Sequence, residues 1–509
     1  MIWRRDLKFF SFPLRSSPPS RADSFSPDKG PLAKLSGLPY NPPVASLTHE
    51  PEVMMKKLKY WICGFLLPIC ASGSLYSEEL PPMPEGPLLL TSAVPEMLNP
   101  DYWIDRLPEP DKVIKTPEQL KKFNKEIRAF LPEQRDIFTM ETSRSGAGIA
   151  ADLKNVFSAV RGRKLLFEDD APVPKSFFDE RVKPVMAAEK VPERIQYRWG
   201  AAVRAASVRS LPTDVKLLEK PGDIEFDMLQ YTQIKLWTPL AIYHASPDGE
   251  WLYIQAPYTR GWVRSRDIAV FSSREVLKQY VETPKFLVVT GESVPLYRDA
   301  SMTRASLRAS MGTLLPLVSV SESAYVIEVP VRQDGGKASA VKAYITIGSD
   351  VTRGFPAYTQ RNIIRQAFKL LGARYGWGGM YNGRDCSGFT HDVFLSMGVD
   401  MPRDSKQQGF VGTQLGHFKI FDDAEYKATI LRSATPGLTL LRMPMHLMFY
   451  LGEVGDNFYV IHSTWAERYS MTSDDKNRIN QVVVSDLSLN GRSRIGSLFD
   501  RILSANEVN

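Results

Sequence analysis

Cys386 sits in the run ARYGWGGMYNGRDCSGFTHDVFLSMG, where a Gly-rich stretch gives way to a helical pattern of Phe389, Val393, Phe394 and Met397. A cysteine at the start of a helix feels the positive end of the macrodipole and the unpaired N–H groups of the first turn. Both favour the thiolate, the nucleophilic form, and the same N–H groups can hold an oxyanion. Such a nucleophile needs a base, and the base needs an orienting group. The chain has six histidines. His49 lies in the N-terminal leader, His244 in a strand-rich region and His417 in a loop-like stretch. His391 follows Cys386 by five residues, about 140° around a helix, and faces away from it. His446 and His462 remain. His446 opens the strand-like run HLMFYLGEV, His462 ends FYVIHSTW, and EVGDN between them reads as a turn. On paired antiparallel strands, His446 can stand beside the sulfur as base. His462 behind it would set tautomer and orientation. Metal ligation by one Cys and two His is the rival chemistry. The chain has no CxxC, HxxxH or HExxH pair, so no metal site is expected.

The elements that must position these groups follow from periodicity. Gln360 to Leu371 reads as an amphipathic helix ended by Gly372. Upstream, Thr116-Pro117-Glu118-Gln119 is a helix start, with Leu120, Phe123, Ile127 and Phe130 at helical spacing. Helical patches continue to about residue 195. Near residue 200 the period shifts to two. LAIYHASPDGEWLYIQA places a Pro-Asp-Gly turn at 247–249 between alternating runs, and Gly335-Gly336 marks a second hairpin within 285–347. Two small all-β barrels fit this spacing. The expected organisation is a helical stabilising segment at 78–195, β-domains at 196–275 and 280–350, and a mixed domain at 355–509.

Composition agrees with a globular, multidomain chain. The 509 residues are 43% hydrophobic and 24% charged, enough for roughly three to four domains. The net charge of +7 does not point to nucleic acid. Residues 1–77 hold ten basic and five acidic residues, whereas the remainder is nearly balanced at 54 against 52. Residues 55–77, MKKLKYWICGFLLPICASGSLYS, have the basic, apolar and small-residue regions of a secretory signal peptide. Residues 1–54, rich in Ser, Pro and Arg, read as a misassigned or disordered leader. Pro68-Ile69 before Cys70 do not suit a lipobox, so lipid anchoring is disfavoured. The expected location is beyond the inner membrane, in the periplasm, with no stable membrane insertion after cleavage. Cleavage would leave Cys386 as the one cysteine of the mature chain.

These residues resemble the NlpC/P60 family of cell-wall cysteine peptidases. The resemblance rests on Tyr375-Gly376-Trp377-Gly378-Gly379, Asp385-Cys386-Ser387-Gly388-Phe389, Pro402-Arg403-Asp404-Ser405, His446 with Tyr450-Leu451-Gly452, and His462. From about residue 80, the chain is similar to a subgroup with a helical stabilising segment and two SH3-like (SH3b) domains before the peptidase. The resemblance implies a multidomain α+β chain with a papain-like catalytic fold and no cofactor. It also implies hydrolysis of the γ-D-glutamyl–diamino acid bond in peptidoglycan stem peptides or muropeptides. Cys386 would be nucleophile, His446 base and His462 third triad member. Asp385 matches an acidic residue that receives a free N-terminal L-Ala amine. Ser387, Ser405 and Trp377 match the lining of the same pocket, and Tyr258 matches an SH3-domain tyrosine that closes it. Two positions depart from the family pattern: PGLTL at 436–440 lacks an acidic residue after its Gly, and Met445 stands where a Gly is common. An amidase or acyltransferase on the same scaffold, or a non-enzymatic wall-binding protein, are the alternative readings.

Overall fold

The computed structural model describes residues 83–131 and 133–509. The leader at 1–54 and the signal-type segment at 55–77 lie outside the described residues. Among those described, no helix is long and apolar enough to cross a membrane.

In the helical segment, a five-residue helix, Pro100–Ile104, precedes the helix that the local signals predict. Helix α1 (Pro117–Phe130) has a full capping box: Thr116 accepts from the Gln119 N–H, and the Gln119 side chain accepts from the Thr116 N–H. Helix α2 (Gly146–Arg161) follows, capped by Ser145. The segment does not pack as one body. Leu120, Phe123, Ile127 and Leu131 join the core of the mixed domain. Ile149, Leu153 and Phe157 join the core formed with the β-rich region. The 78–195 stretch thus divides its apolar surface between two cores.

The first β-module has seven strands: β1 (Arg198–Ala202), β2 (Ala206–Arg209), β3 (Gln230–Ile234), β4 (Pro239–Ala245), β5 (Trp251–Ala256), β6 (Thr259–Arg264) and β7 (Ile268–Phe271). They form one antiparallel sheet in the order β3-β2-β6-β5-β4-β1-β7. All seven contribute to a single cluster that includes Ala202, Val208, Ile234, Ile242, Ile254, Val263 and Ile268. A sheet whose strands all face one cluster has to curl around it. Gly249, at φ +72°, makes the expected turn between β4 and β5.

Helix α3 (Arg274–Val281) leads into a second set: β8 (Phe286–Val289), β9 (Ser293–Tyr297), β10 (Ala305–Ser310), β11 (Leu314–Val320), β12 (Ala324–Arg332), β13 (Ala338–Thr346) and β14 (Val351–Arg353). Its order, β10-β9-β13-β12-β11-β8-β14, repeats that of the first module strand for strand.

The mixed domain opens with α4 (Gln360–Phe368), which ends three residues before the periodicity predicts; Gly372 then turns the chain at φ +78°. Helix α5 (Cys386–Ser396) packs Phe389 and Phe394 against Phe449. The sheet is built from β15 (Thr413–His417), β16 (Thr439–Met443), β17 (His446–Val454), β18 (Asn457–Arg468), β19 (Lys476–Asp486) and β20 (Ser504–Glu507). Its antiparallel order is β15-β20-β16-β17-β18-β19. A helix carrying the cysteine at its N-terminus and packed on an antiparallel sheet is the α+β architecture expected of a papain-like domain.

Candidate active site

Cys386 is the first residue of α5, and Asp385 is its N-cap. The Asp385 carboxylate is fully engaged. One oxygen accepts from the Gly388 N–H at 2.7 Å and from the Ser387 hydroxyl at 3.2 Å. The other accepts from the Gly378 N–H at 2.9 Å and from Arg403 at 2.6 Å. Four donors fill the roughly four acceptor sites of a carboxylate. Burial acts to raise its pKa, but Arg403 and the backbone N–H groups prevail and hold it below the usual range. Arg403 also donates to Ser387 Oγ at 2.9 Å and to Thr232 Oγ1 of β3 at 2.8 Å.

The Cys386 sulfur lies 4.0 Å from the Met445 carbonyl oxygen and against the Leu447 N–H. These groups flank His446 in the chain, so the sulfur sits beside the first residues of β17. It makes no hydrogen bond to the imidazole, a contact that commonly tightens only with substrate. His446 Nε2 is 2.7 Å from His462 Nδ1, and His462 Nε2 is 3.1 Å from Ser485 Oγ. Strand register accounts for this row. Val460 faces Ser485 and His462 faces Val483 across β18 and β19, so His462 and Ser485 are diagonal neighbours on one face. With Ser485 accepting from His462 Nε2–H, His462 Nδ1 accepts from His446 Nε2–H. The His446 Nδ1 lone pair is then free to take a proton.

Electrostatics differ from the expectation of a resting thiolate. Burial and then the Asp385 charge push the Cys386 thiol up to about 12, outweighing the Leu447 and Ser387 N–H groups. Burial takes His446 down to about 4 and His462 well below its ordinary value. Both shifts favour the uncharged forms, a thiol and a neutral imidazole, over a resting ion pair.

The same shifts predict an acid-side loss of stability. A histidine whose folded pKa is depressed binds its proton first in the unfolded chain. Stability is therefore full above pH 6.5, falls as pH drops towards about 4, and is level below that. For His446 alone the change is up to about 3 kcal/mol. Urea midpoints at several pH values should show this slope, reduced in His446→Gln; a flat profile between pH 6.5 and 4.5 contradicts it.

Two glycines bring the first β-module onto this site. Gly378 and Gly379 take φ +55° and +82° against β3. A Cβ would lie 2.8 Å from Gln230 Cγ at the first and 2.8 Å from Gln233 Cβ at the second. Trp377 donates to the Asp227 carbonyl at 3.0 Å, and Phe226 packs on Tyr375, Trp377 and Trp465. Ser405 is partly exposed at the first position of the short helix Ser405–Gln408. The Tyr258 ring meets His391 edge-on at 4.7 Å, on the flank of α5 turned away from Cys386. Met445 is 78% exposed and takes φ +60°, a left-handed conformation more easily adopted by glycine.

Sequence reasoning did not single out Ser485, Phe226 or Gln230, or the Arg403 pairing with Asp385. Strand alternation could have placed Ser485 on a face with His462 once the β18–β19 pairing was known. Nothing local marks the others.

Known proteins agree with this architecture. The NlpC/P60 family model matches residues 372–487, and that of the SH3 domain (SH3b1 type) matches 216–264, within the first module only. A γ-D-glutamyl-L-lysine dipeptidyl-peptidase of Bacillus cereus is 28% identical over 191 residues, 36% of this chain and 51% of that protein. The chain thus spans about half the length of the curated relative it matches. An NlpC/P60 endopeptidase structure from Photobacterium damselae subsp. piscicida is similar in fold, with a TM-score of 0.66 at 17% identity. That match covers 84% of this chain and 98% of the other. Residues 372–487, with the cysteine helix and the two-histidine strands, are therefore an NlpC/P60 domain, preceded in the chain by an SH3b-type domain.

Proposed function

We propose that this protein is a secreted cysteine endopeptidase that hydrolyses the γ-D-glutamyl–diamino acid bond of peptidoglycan stem peptides. The observation that carries the reading is the Ser485–His462–His446 row, which leaves His446 Nδ1 free beside the strand start that Cys386 contacts. The bond assignment draws on the dipeptidyl-peptidase relative, and the periplasmic location on the signal-type segment.

In the proposed reaction, the Cys386 sulfur attacks the isopeptide carbonyl as His446 takes the thiol proton. The tetrahedral oxyanion accepts hydrogen bonds from N–H groups at the start of α5, that of Cys386 among them. His446 returns the proton to the departing amine, leaving a thioester. Water, deprotonated by His446, then hydrolyses the thioester. No cofactor enters these steps.

Recognition of a free L-Ala amine by Asp385 has a specific requirement. An incoming ammonium has to replace one of the four donors on the carboxylate, and Ser387 at 3.2 Å is the longest of them. L-Ala-γ-D-Glu-meso-diaminopimelate, free and N-acetylated, tests both levels by mass spectrometry. Release of diaminopimelate from the free-amine peptide alone is expected. Equal cleavage of both peptides removes the amine role of Asp385 while keeping the peptidase. Folded protein that cleaves neither overturns the bond assignment and favours an amidase or acyltransferase.

A further inference from the structure

Residues 498–503 carry the chain from a one-turn helix, Leu498–Arg501, into β20, and they border the hairpin that presents His446. The Leu503 N–H donates to the Arg442 carbonyl at 2.7 Å. Ser504 of β20 faces Arg442 of β16, and the next residue of β16, Met443, faces His446 of β17. Leu498 and Ile502 pack with Met443 and Met448 on one face of the sheet. Helix α5 packs through Phe389 and Phe394 on the other, with Leu447 and Phe449. Arg501 therefore approaches His446 from the face opposite α5 and its Asp385 cap.

Arg501 is partly buried, and its guanidinium has no hydrogen bond and no ion pair among the described residues. The carboxylates around it are committed elsewhere. Asp500 accepts from the Ser497 N–H at 2.8 Å and from its hydroxyl at 2.7 Å. Asp474 holds Arg468 at 2.8 Å and Arg494 at 2.6 Å. Burial first, and then the Arg468 cation, act on Arg501, and both disfavour its charge. Arginine nevertheless stays protonated in proteins. Its charge reaches His446, where it adds to burial in opposing the imidazolium. A fixed cation beside the group that must take a proton hinders catalysis, and an anion arriving with the substrate removes that hindrance.

The leaving group of the proposed reaction carries such an anion. The nitrogen that His446 protonates belongs to a diamino acid with a carboxylate on the adjacent carbon, and diaminopimelate has a second at the far end of its side chain. We propose that Arg501 binds a carboxylate of the leaving diamino acid and thereby selects among stem peptides, an inference that rests on the γ-D-glutamyl–diamino acid reading above. A guanidinium offers a carboxylate two parallel N–H donors, so the contact fixes orientation as well as charge. The peptide is then held at both ends, its ammonium at Asp385 and its carboxylate at Arg501, with the scissile carbonyl over Cys386 between them. Because the carboxylate also offsets the cation facing His446, a peptide without it loses turnover as well as binding.

The test measures kcat and KM of the wild type and of Arg501→Gln on three peptides. They are L-Ala-γ-D-Glu-meso-diaminopimelate, its L-lysine counterpart, and the diaminopimelate peptide amidated at the carboxylate next to the scissile nitrogen. Arg501→Gln is expected to lower kcat/KM on the first by about 10- to 100-fold, the range for a hydrogen bond to a charged group. Arg501→Lys should recover part of that loss. Wild-type discrimination against the amidated peptide identifies the adjacent carboxylate as the group bound, and discrimination against the lysine peptide identifies the distal one. Either supports the proposal when Arg501→Gln abolishes the discrimination. An equal loss on all three peptides with a lowered urea midpoint marks a structural role and overturns it. So does a variant that matches the wild type, or a wild type that cleaves all three peptides equally. A folded wild type that cleaves none overturns the bond assignment itself, and this inference with it. Arg501→Gln should fold, since its side chain has no partner among the described residues to lose; if it does not, the same comparison in Arg501→Lys decides.

Discussion

Cys386→Ala is expected to lower kcat/KM on the stem peptide by at least about 10⁴-fold, the order lost when a triad hydrolase loses its nucleophile. In the proposed reaction sulfur is the atom that attacks, and no other cysteine is present among residues 71–509. The fold should survive, because the change removes one buried atom and leaves the Asp385 cap, the α5 hydrogen bonds and the Phe389–Phe449 contact in place. Circular dichroism and the urea midpoint check that half of the expectation. His446→Gln should come within an order of magnitude of the same loss, and the double variant should be little worse than either, since the two residues act as a unit. His462→Ala should fall less, because it acts through His446 and does not touch the substrate. Turnover above about 1% in folded Cys386→Ala would show that attack comes from another group.

Asp385→Ala is expected to be the most damaging single change to stability near the site, by about 3–5 kcal/mol. It leaves the Arg403 guanidinium buried without its carboxylate, and it removes the N-cap of α5 and the acceptor of the Gly378 N–H. Asp385→Asn should be milder at the cap, since asparagine caps helices well, but it still strands the arginine. Asp385→Asn combined with Arg403→Met should therefore recover a large part of the loss. That recovery distinguishes an uncompensated charge from a simple packing defect. Denaturant unfolding of the four proteins measures it. A loss below 1 kcal/mol in Asp385→Ala, or no recovery in the pair, contradicts this account.

Asp385 and Asp392 each hold an arginine from the chain around α5, Arg403 and Arg384 respectively. One carboxylate at the N-cap of α5 and another about two turns along it thus organise the cations on both of its flanks. On one flank the charges close on each other around Ser387. On the other, Lys235 and Arg384 close on Asp392 at 2.8 Å each.

Much of this molecule is written locally in its chain. The Thr116–Gln119 capping box, the Pro-Asp-Gly turn at 247–249, the Asp385 cap ahead of Cys386 and the alternation along the strands of His446 and His462 each rest on residues only a few positions apart. Hydrogen bonds to the next turn and side-chain alternation along a strand need no knowledge of the rest of the fold. The choice of cysteine and of two histidines from six was legible for that reason. Tertiary structure decided the rest. It set Ser485 behind His462 and Arg403 on Asp385, and turned Tyr258 towards His391. It also divided the helical segment between two cores, and its burial pushes the cysteine pKa up where the helix terminus alone would lower it. These outcomes depend on residues tens to hundreds of positions apart and on how much water is excluded between them. Both quantities come from packing and leave no pattern in a short window of sequence.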